Sequence, residues 1–153
     1  MSVKVLFIGG TGTISSAIVE HLSEIPKWEV YVLNRGNRLE NLPSGVHQLT
    51  ADIHDHSSLA KCLEGQSFDV VCDFIGFVPS DLEPVCSLLK GRVGQFVYIS
   101  SASAYQKPPR TWLITEETPL ENPYWEYSRN KIACEEYLMR LFREEGFPVT
   151  IVR

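Results

Sequence analysis

The stretch "VKVLFIGGTGTISSA", residues 3–17, decides the fold. Its first six residues, "VKVLFI" (3–8), read as a buried strand, and glycines follow at once. From residue 13 the chain takes up helical spacing and continues it to about residue 24. A strand that hands glycines to a helix start turns backbone N–H groups and the positive end of the helix dipole toward a phosphate. Two spacings overlap here: Gly10-x-Gly12-x-x-Ser15 and Gly9-x-x-Gly12-x-x-Ser15. Gly9 would make the tight turn and Gly12 would admit a pyrophosphate close to the backbone. The third position normally lets helix and strand pack closely; Ser15, the smallest polar substitute, is expected to cost a little packing and to keep the site.

The same alternation repeats along the rest of the chain. Strand candidates are 3–8, 29–34, 46–51, 69–75, 95–101 and 148–153, and helix candidates are 13–24, 56–64, 80–90 and 125–145. Continuous apolar strands alternating with helices indicate a parallel sheet covered on both faces. Right-handed crossovers then give an α/β doubly wound sheet, a three-layer Rossmann arrangement occupying 1–153 as one NAD(P)-binding domain. Residues 35–45, "RGNRLENLPSG", have room for only a short helical turn. No repeats or low-complexity segments occur.

Composition narrows the class. The chain has 153 residues, 44% hydrophobic and 22% charged, with a net charge of −5. This is globular composition, and the acidic balance argues against a dedicated nucleic-acid binder. The four cysteines (Cys62, Cys72, Cys86, Cys134) are widely spaced, which reads as reduced thiols rather than a disulfide framework or zinc site. The expected location is the cytoplasm: no signal-peptide pattern opens the chain, and no apolar run approaches a membrane span. His54 and His56 form H-x-H without a nearby third ligand. They read as surface histidines, and no metal is expected.

At the end of the second strand an acidic residue would grip the ribose hydroxyls of NAD. Here "VLNRGNR" places Asn34 at that point. Asn34 lacks the charge that repels a 2′-phosphate, and Arg35, helped by Arg38, can pair with one. This tilts the choice from NAD toward NADP. After the third strand, "ADIHD" places Asp52 where its carboxylate can accept a proton from the adenine amino group.

A second constellation lies farther along. "YISSASAY" (98–105) ends a strand in serines, and "YSRNK" (127–131) sets a tyrosine four residues before a lysine. On a helix those two side chains share a face. A free phenol ionises near pH ~10, too high for a base at neutral pH, and a neighbouring ammonium favours the phenolate. Tyr127 could then take a proton from a substrate hydroxyl as hydride leaves for a nicotinamide. Ser101 would hold the oxygen, and Lys131 would also reach the nicotinamide ribose. Tyr137, Leu138, Leu141 and Phe142 supply the helix with a core stripe.

With these residues in place, the sequence resembles the extended short-chain dehydrogenase/reductase family, the NAD-dependent nucleotide-sugar epimerases and dehydratases. Gly9-x-x-Gly12-x-x-Ser15 is similar to that family's G-x-x-G-x-x-G, which selects the second glycine spacing and makes Gly10 a filler position. "ADIHD", "DVVCDFIGF", "ISSASAY" and "ITEETPLENP" match further family segments. The resemblance implies catalytic roles for Ser101, Tyr127 and Lys131. It implies cofactor contacts at Gly9, Gly12, Thr13, Ile14, Asp52, Ile53, Ile75, Gly76 and Lys131, beside Asn34 and Arg35. The implied reaction is hydride transfer to NAD or NADP with a tyrosine base, on a nucleotide-sugar or a related hydroxyl or ketone compound. Family members pair through a bundle that includes the tyrosine helix, so a homodimer is expected. They also carry a C-terminal substrate-holding region, expected to be absent from these 153 residues. "NRG" and "DFIGF" look more like a branch that includes chloroplast stem-loop-binding proteins. A cofactor-binding sensor, an RNA-associated protein or an inactive cofactor-binding fragment therefore stand as alternatives.

Overall fold

A computed structural model of the chain describes residues 2–36 and 42–153. Six strands form one parallel sheet: β1 (Val3–Ile8), β2 (Trp28–Asn34), β3 (His47–Thr50), β4 (Phe68–Asp73), β5 (Val93–Ile99) and β6 (Val149–Val152). They are ordered β3-β2-β1-β4-β5-β6, with every neighbouring pair parallel. This is the doubly wound order of dinucleotide-binding sheets. The helices are α1 (Thr13–Ser23), α2 (His56–Cys62), α3 (Pro79–Leu89) and α4 (Glu126–Glu145), and a 3-10 turn spans Ala102–Ala104.

The sequence pattern explains why both faces are covered. Successive strand residues point to opposite faces, so "VKVLFI" sends Val5 and Phe7 one way and Leu6 and Ile8 the other. Val5, Phe7, Val30 and Val32 pack with Val19 of α1. Leu6, Ile8, Leu33 and Tyr98 pack in a larger cluster with Leu59 of α2, Leu82 and Leu89 of α3, and Leu138 of α4. A strand buried on both sides gains on both, hence the unbroken apolar runs.

Three local expectations shift. The fourth strand ends at Asp73 instead of residue 75, because the Asp73 carboxylate takes the Ile75 and Gly76 N–H groups. On α4, Leu138 is fully buried but Phe142 is half exposed, so Phe142 lies outside the core stripe. The buried face of that helix begins with Ser128, Lys131, Cys134 and Glu135. Its N-terminal half is therefore a polar buried surface, unusual for a helix whose packing face is ordinarily apolar. Finally, of the segment 35–45 expected to hold a short turn, residues 37–41, Arg38 among them, lie outside the described residues. Its described parts, 35–36 and 42–45, hold no helix.

The end of α4 is set by Gly146 at φ 68°, whose N–H bonds Phe142 O while Phe147 N–H reaches Leu141 O. A glycine in this left-handed cap stops the helix and turns the chain back to β6. That return brings Arg153 onto α4. Its guanidinium reaches Glu135 at 2.7 Å and 2.9 Å, and Ser100 donates to the same carboxylate. The pair ties α4 to the C-terminal ends of β5 and β6.

Candidate functional site

The strand order reverses between β1 and β4, which opens a crevice at their C-terminal ends. A cleft of about 540 Å³ lies there, lined by Gly9, Gly12, Asn34, Arg35, Asp52, Ile53 and Ile75 among others. Seven of the expected cofactor positions are thus on its wall. Thr13 and Ile14 open α1 but are not on that wall, where Thr11 stands instead. Gly76 lies behind the wall, where an added Cβ would fall 2.5 Å from Leu82 Cδ2.

The glycine turn is braced from within. Gly9 has φ +83°, and a Cβ there would sit 2.3 Å from Ile75 Cγ2, so only glycine fits. Ser15 is 1% exposed. Its hydroxyl donates to Gly9 O at 2.7 Å and accepts from Gly12 N–H at 3.0 Å. The serine therefore does more than fill space: it closes the loop across the first turn of α1. Gly10 also has a role. A Cβ at Gly10 would lie 2.8 Å and 2.9 Å from the Val32 methyls, so this glycine gives the close packing against β2.

Asn34 ends β2 with its Oδ1 accepting from Gly36 N–H at 2.9 Å and from Gln48 Nε2 at 3.3 Å. Its Nδ2 is buried without a partner among the described residues. A buried amide donor left unpaired costs about 1–3 kcal/mol. An oxygen-rich ligand in the cleft that Asn34 lines would remove that cost. Arg35 follows it, exposed. Across the cleft, His54 bonds Asp52 Oδ1 at 3.0 Å through Nδ1 and Asp81 Oδ1 at 3.1 Å through Nε2. Asp52, then Asp81, holds this imidazole above its ordinary pKa. Asp81 Oδ2 caps α3 by accepting the Phe77 and Val78 N–H groups. His54 is thus anchored between two carboxylates, which the H-x-H pattern alone did not indicate.

The tyrosine–lysine pair adjoins this cleft through Phe77, which lines it and faces the Tyr127 ring at 6.2 Å between centroids. Lys131 Nζ lies 5.9 Å from the Tyr127 ring centre and 4.6 Å from that of Tyr98. The ammonium, on a residue 1% exposed, donates to Gly76 O and Ile99 O, each at 2.9 Å. Burial pushes the Lys131 pKa down, and the charges of Asp73 and Glu135 act against that. Two of its three N–H donors are thereby used. Ser101 lies two residues beyond β5, which ends at Ile99 and not at the expected residue 101, and it caps the 3-10 turn; its Oγ is 2.8 Å from Ser103 Oγ. Tyr127 and Lys131 therefore share a face of α4 as their spacing required. Ser101, Tyr127 and Lys131 stand outside the cleft wall itself.

Asp73 was not singled out from the sequence, although a carboxylate interrupting "VVCDFI" is a visible signal. It is fully buried; Oδ1 accepts from Ile75 and Gly76 N–H at 2.9 Å and 2.7 Å, and Oδ2 has no partner among the described residues. The bond that shapes the 73–76 turn also sets the Gly76 carbonyl that receives Lys131. Burial raises the Asp73 pKa from 3.8 to about 6, and the two backbone bonds and Lys131 oppose the shift. The folded protein thus binds this proton more tightly than the unfolded chain. Its stabilising contribution is complete below pH ~4 and is lost as pH rises through ~6, about 3 kcal/mol in all. Urea denaturation of the native protein and Asp73→Asn at pH 4.5 and 7.5 checks this. Between these two pH values the stability difference should move by about 2 kcal/mol in favour of the variant at the higher pH; a difference independent of pH contradicts the assignment.

Comparison with known proteins now adds the family. The family model described as NAD dependent epimerase/dehydratase family matches residues 5–153. No curated protein sequence matches the chain. Among solved structures, the chain is similar to dTDP-glucose 4,6-dehydratase from Bacillus anthracis in complex with NAD: TM-score 0.83, 20% identity, 98% of this chain and 54% of that one. It is similar to the UDP-Glc/GlcNAc 4-epimerase of Campylobacter jejuni, with TM-score 0.83, 20% identity, and coverage of 98% and 52%. The Bordetella bronchiseptica enzyme WbmH in complex with NAD+ gives TM-score 0.82 and 23% identity over 100% of this chain and 56% of that one. These identities speak to the fold, and the chain spans about half the length of the structures it matches. Among the described residues no helix is long and apolar enough to cross a membrane. The match over residues 5–153 identifies the chain as a member of the NAD-dependent epimerase/dehydratase family.

Proposed function

We propose that the chain is the dinucleotide-binding domain, 1–153, of an enzyme that epimerises, dehydrates or reduces a nucleotide-sugar or related hydroxyl or ketone compound. One observation carries this reading: the cleft joins the Gly9–Gly12 turn and Asn34–Arg35 on one wall to Phe77, and through Phe77 to Tyr127 and Lys131. The residues suit NAD(P). The α1 start offers N–H groups of Thr13 and Ile14 to a pyrophosphate. Asn34 Nδ2 offers an unpaired donor to the adenosine ribose, and Asp52 an acceptor to the adenine amino group. Arg35 beside an uncharged Asn34 suits a 2′-phosphate, so NADP is favoured over NAD.

The bound nicotinamide would supply a hydride acceptor and donor. The chain's own groups would do the rest. Tyr127 would remove the proton from the substrate hydroxyl and return it, and Ser101 would hold the reacting oxygen. Lys131 would use its third N–H toward the nicotinamide ribose while its charge favours the ionised tyrosine. Ile75 and Gly76 would line the cofactor's path, with Ile53 packed under the adenine. Partners in this reading are the dinucleotide and a small molecule, in the cytoplasm. Two copies would pair through α4, where Phe142 stands half exposed.

Titration with NADPH and NADH, followed by nicotinamide fluorescence, tests the reading. Saturable binding of both, tighter for NADPH, is expected. Tighter NADH binding would overturn the role given to Asn34 and Arg35.

A further inference from the structure

A chain of side chains behind Ser101 has a direction, and the direction starts from a backbone N–H. Tyr124 N–H donates to Asn122 Oδ1 at 3.2 Å, which fixes the amide with Nδ2 on its other side. That Nδ2 donates to Ser103 O at 2.8 Å and to Ser128 Oγ at 3.3 Å. Ser128 Oγ in turn donates to Ser103 Oγ at 2.9 Å, and Ser103 Oγ lies 2.8 Å from Ser101 Oγ. Ser103 N–H also donates to Ser101 Oγ, at 3.1 Å. The inner members are held tightly: Ser128 is 0% and Asn122 7% exposed.

A hydroxyl carries one proton and two acceptor sites. With Asn122 donating into Ser128, the Ser128 proton goes to Ser103. Either hydroxyl of the Ser103–Ser101 pair can donate, and the direction that continues the chain sends the Ser103 proton to Ser101. Both acceptor sites on Ser101 Oγ are now filled, by the O–H and the N–H of Ser103. Its own proton has no place left within the chain.

From this the geometry points to Ser103, Ser128 and Asn122 as positioning residues that make Ser101 an obligate hydrogen-bond donor to a substrate oxygen. This rests on the reading of Ser101 as the group that holds the reacting oxygen. Donors aimed in advance at an oxygen that gains charge cost no reorganisation during the reaction. The loop that brings Asn122 here is fixed by backbone pairing, with Gln106 N–H on Pro119 O and Lys107 N–H on Glu121 O, each at 2.8 Å. Residues 105–107 and 119–121 thus run side by side and deliver residue 122 to the serine cluster.

Neutron diffraction from deuterium-exchanged crystals reads the direction without any substrate. The Ser128 deuteron should lie toward Ser103 Oγ, the Ser103 deuteron toward Ser101 Oγ, and the Ser101 deuteron away from both. In Asn122→Asp the carboxylate accepts from Ser128, and the deuterons should reverse, with that of Ser101 pointing at Ser103 Oγ. A native Ser101 deuteron directed at Ser103 Oγ overturns the proposal. So does an Asn122→Asp variant with unchanged directions. In turnover, Ser103→Ala should lower kcat about tenfold, less than the loss of a direct oxyanion donor, with KM and NADPH affinity within twofold. Ser103→Thr, which keeps the hydroxyl, should restore it, and equal kcat in Ser103→Ala and native protein overturns the proposal. Failure of the native protein to bind NADPH would instead overturn the functional reading and leave the deuteron result standing.

Discussion

Tyr127→Phe should lower turnover of a nucleotide-sugar by at least about 100-fold, the scale of losing a positioned acid–base group, with NADPH affinity nearly unchanged. The phenyl ring keeps the contacts with Phe77 and Trp125, whose centroids lie 6.2 Å and 4.8 Å away, and removes only the oxygen. Lys131 stays where it is, because Gly76 O and Ile99 O hold it. The loss therefore falls on the proton transfer and leaves the cleft intact. Turnover by the variant within tenfold of native protein would remove Tyr127 from the reaction.

Arg153→Met should be the most damaging of the stability variants. Glu135 has a side chain only 2% exposed, against 20% for Arg153. Removing the guanidinium leaves that carboxylate buried with the Ser100 hydroxyl as its remaining partner. Breaking one half of a buried pair costs about 3–5 kcal/mol; the partial exposure of Arg153 puts the expected loss near ~3. For a domain of this size that corresponds to a fall in Tm of roughly 10 °C, measurable by calorimetry. A change below about 1 kcal/mol, the range of exposed pairs, would mean the pair holds nothing. Because Glu135 shares α4 with Tyr127 and Lys131, the same variant should also loosen the site.

The sequence makes the scaffold legible and leaves much of the wiring hidden, for a physical reason. Strand and helix periodicities are local, so "VKVLFI" and the segment after Gly12 declare themselves, and the doubly wound arrangement follows from their alternation and from crossover handedness. Tyr127 and Lys131 are legible because one helix carries both. Contacts between distant residues have no such local signal. Glu135 meets Arg153, His54 meets Asp81, and Asn122 meets Ser103 only once the sheet has brought them together. The loop shows both cases. Its glycines mark the turn from sequence alone. That Ser15 staples Gly9 to Gly12, and that Gly10 packs on Val32, are facts of three-dimensional approach. The polar buried face of α4 was hidden for a related reason: Ser128 and Glu135 look like solvent-facing residues until their partners are placed.

The cleft at the reversal of strand order is the proposed seat of the dinucleotide. Amide chemical-shift mapping tests it directly, on 15N-labelled protein titrated with NADPH. Saturable shifts are expected at Gly9, Gly12, Thr13, Asn34, Asp52 and Ile75, reaching Lys131, with the outer ends of β3 and β6 still. Saturating NADPH that leaves Gly9, Gly12 and Asn34 unshifted, or moves a different surface, would contradict it.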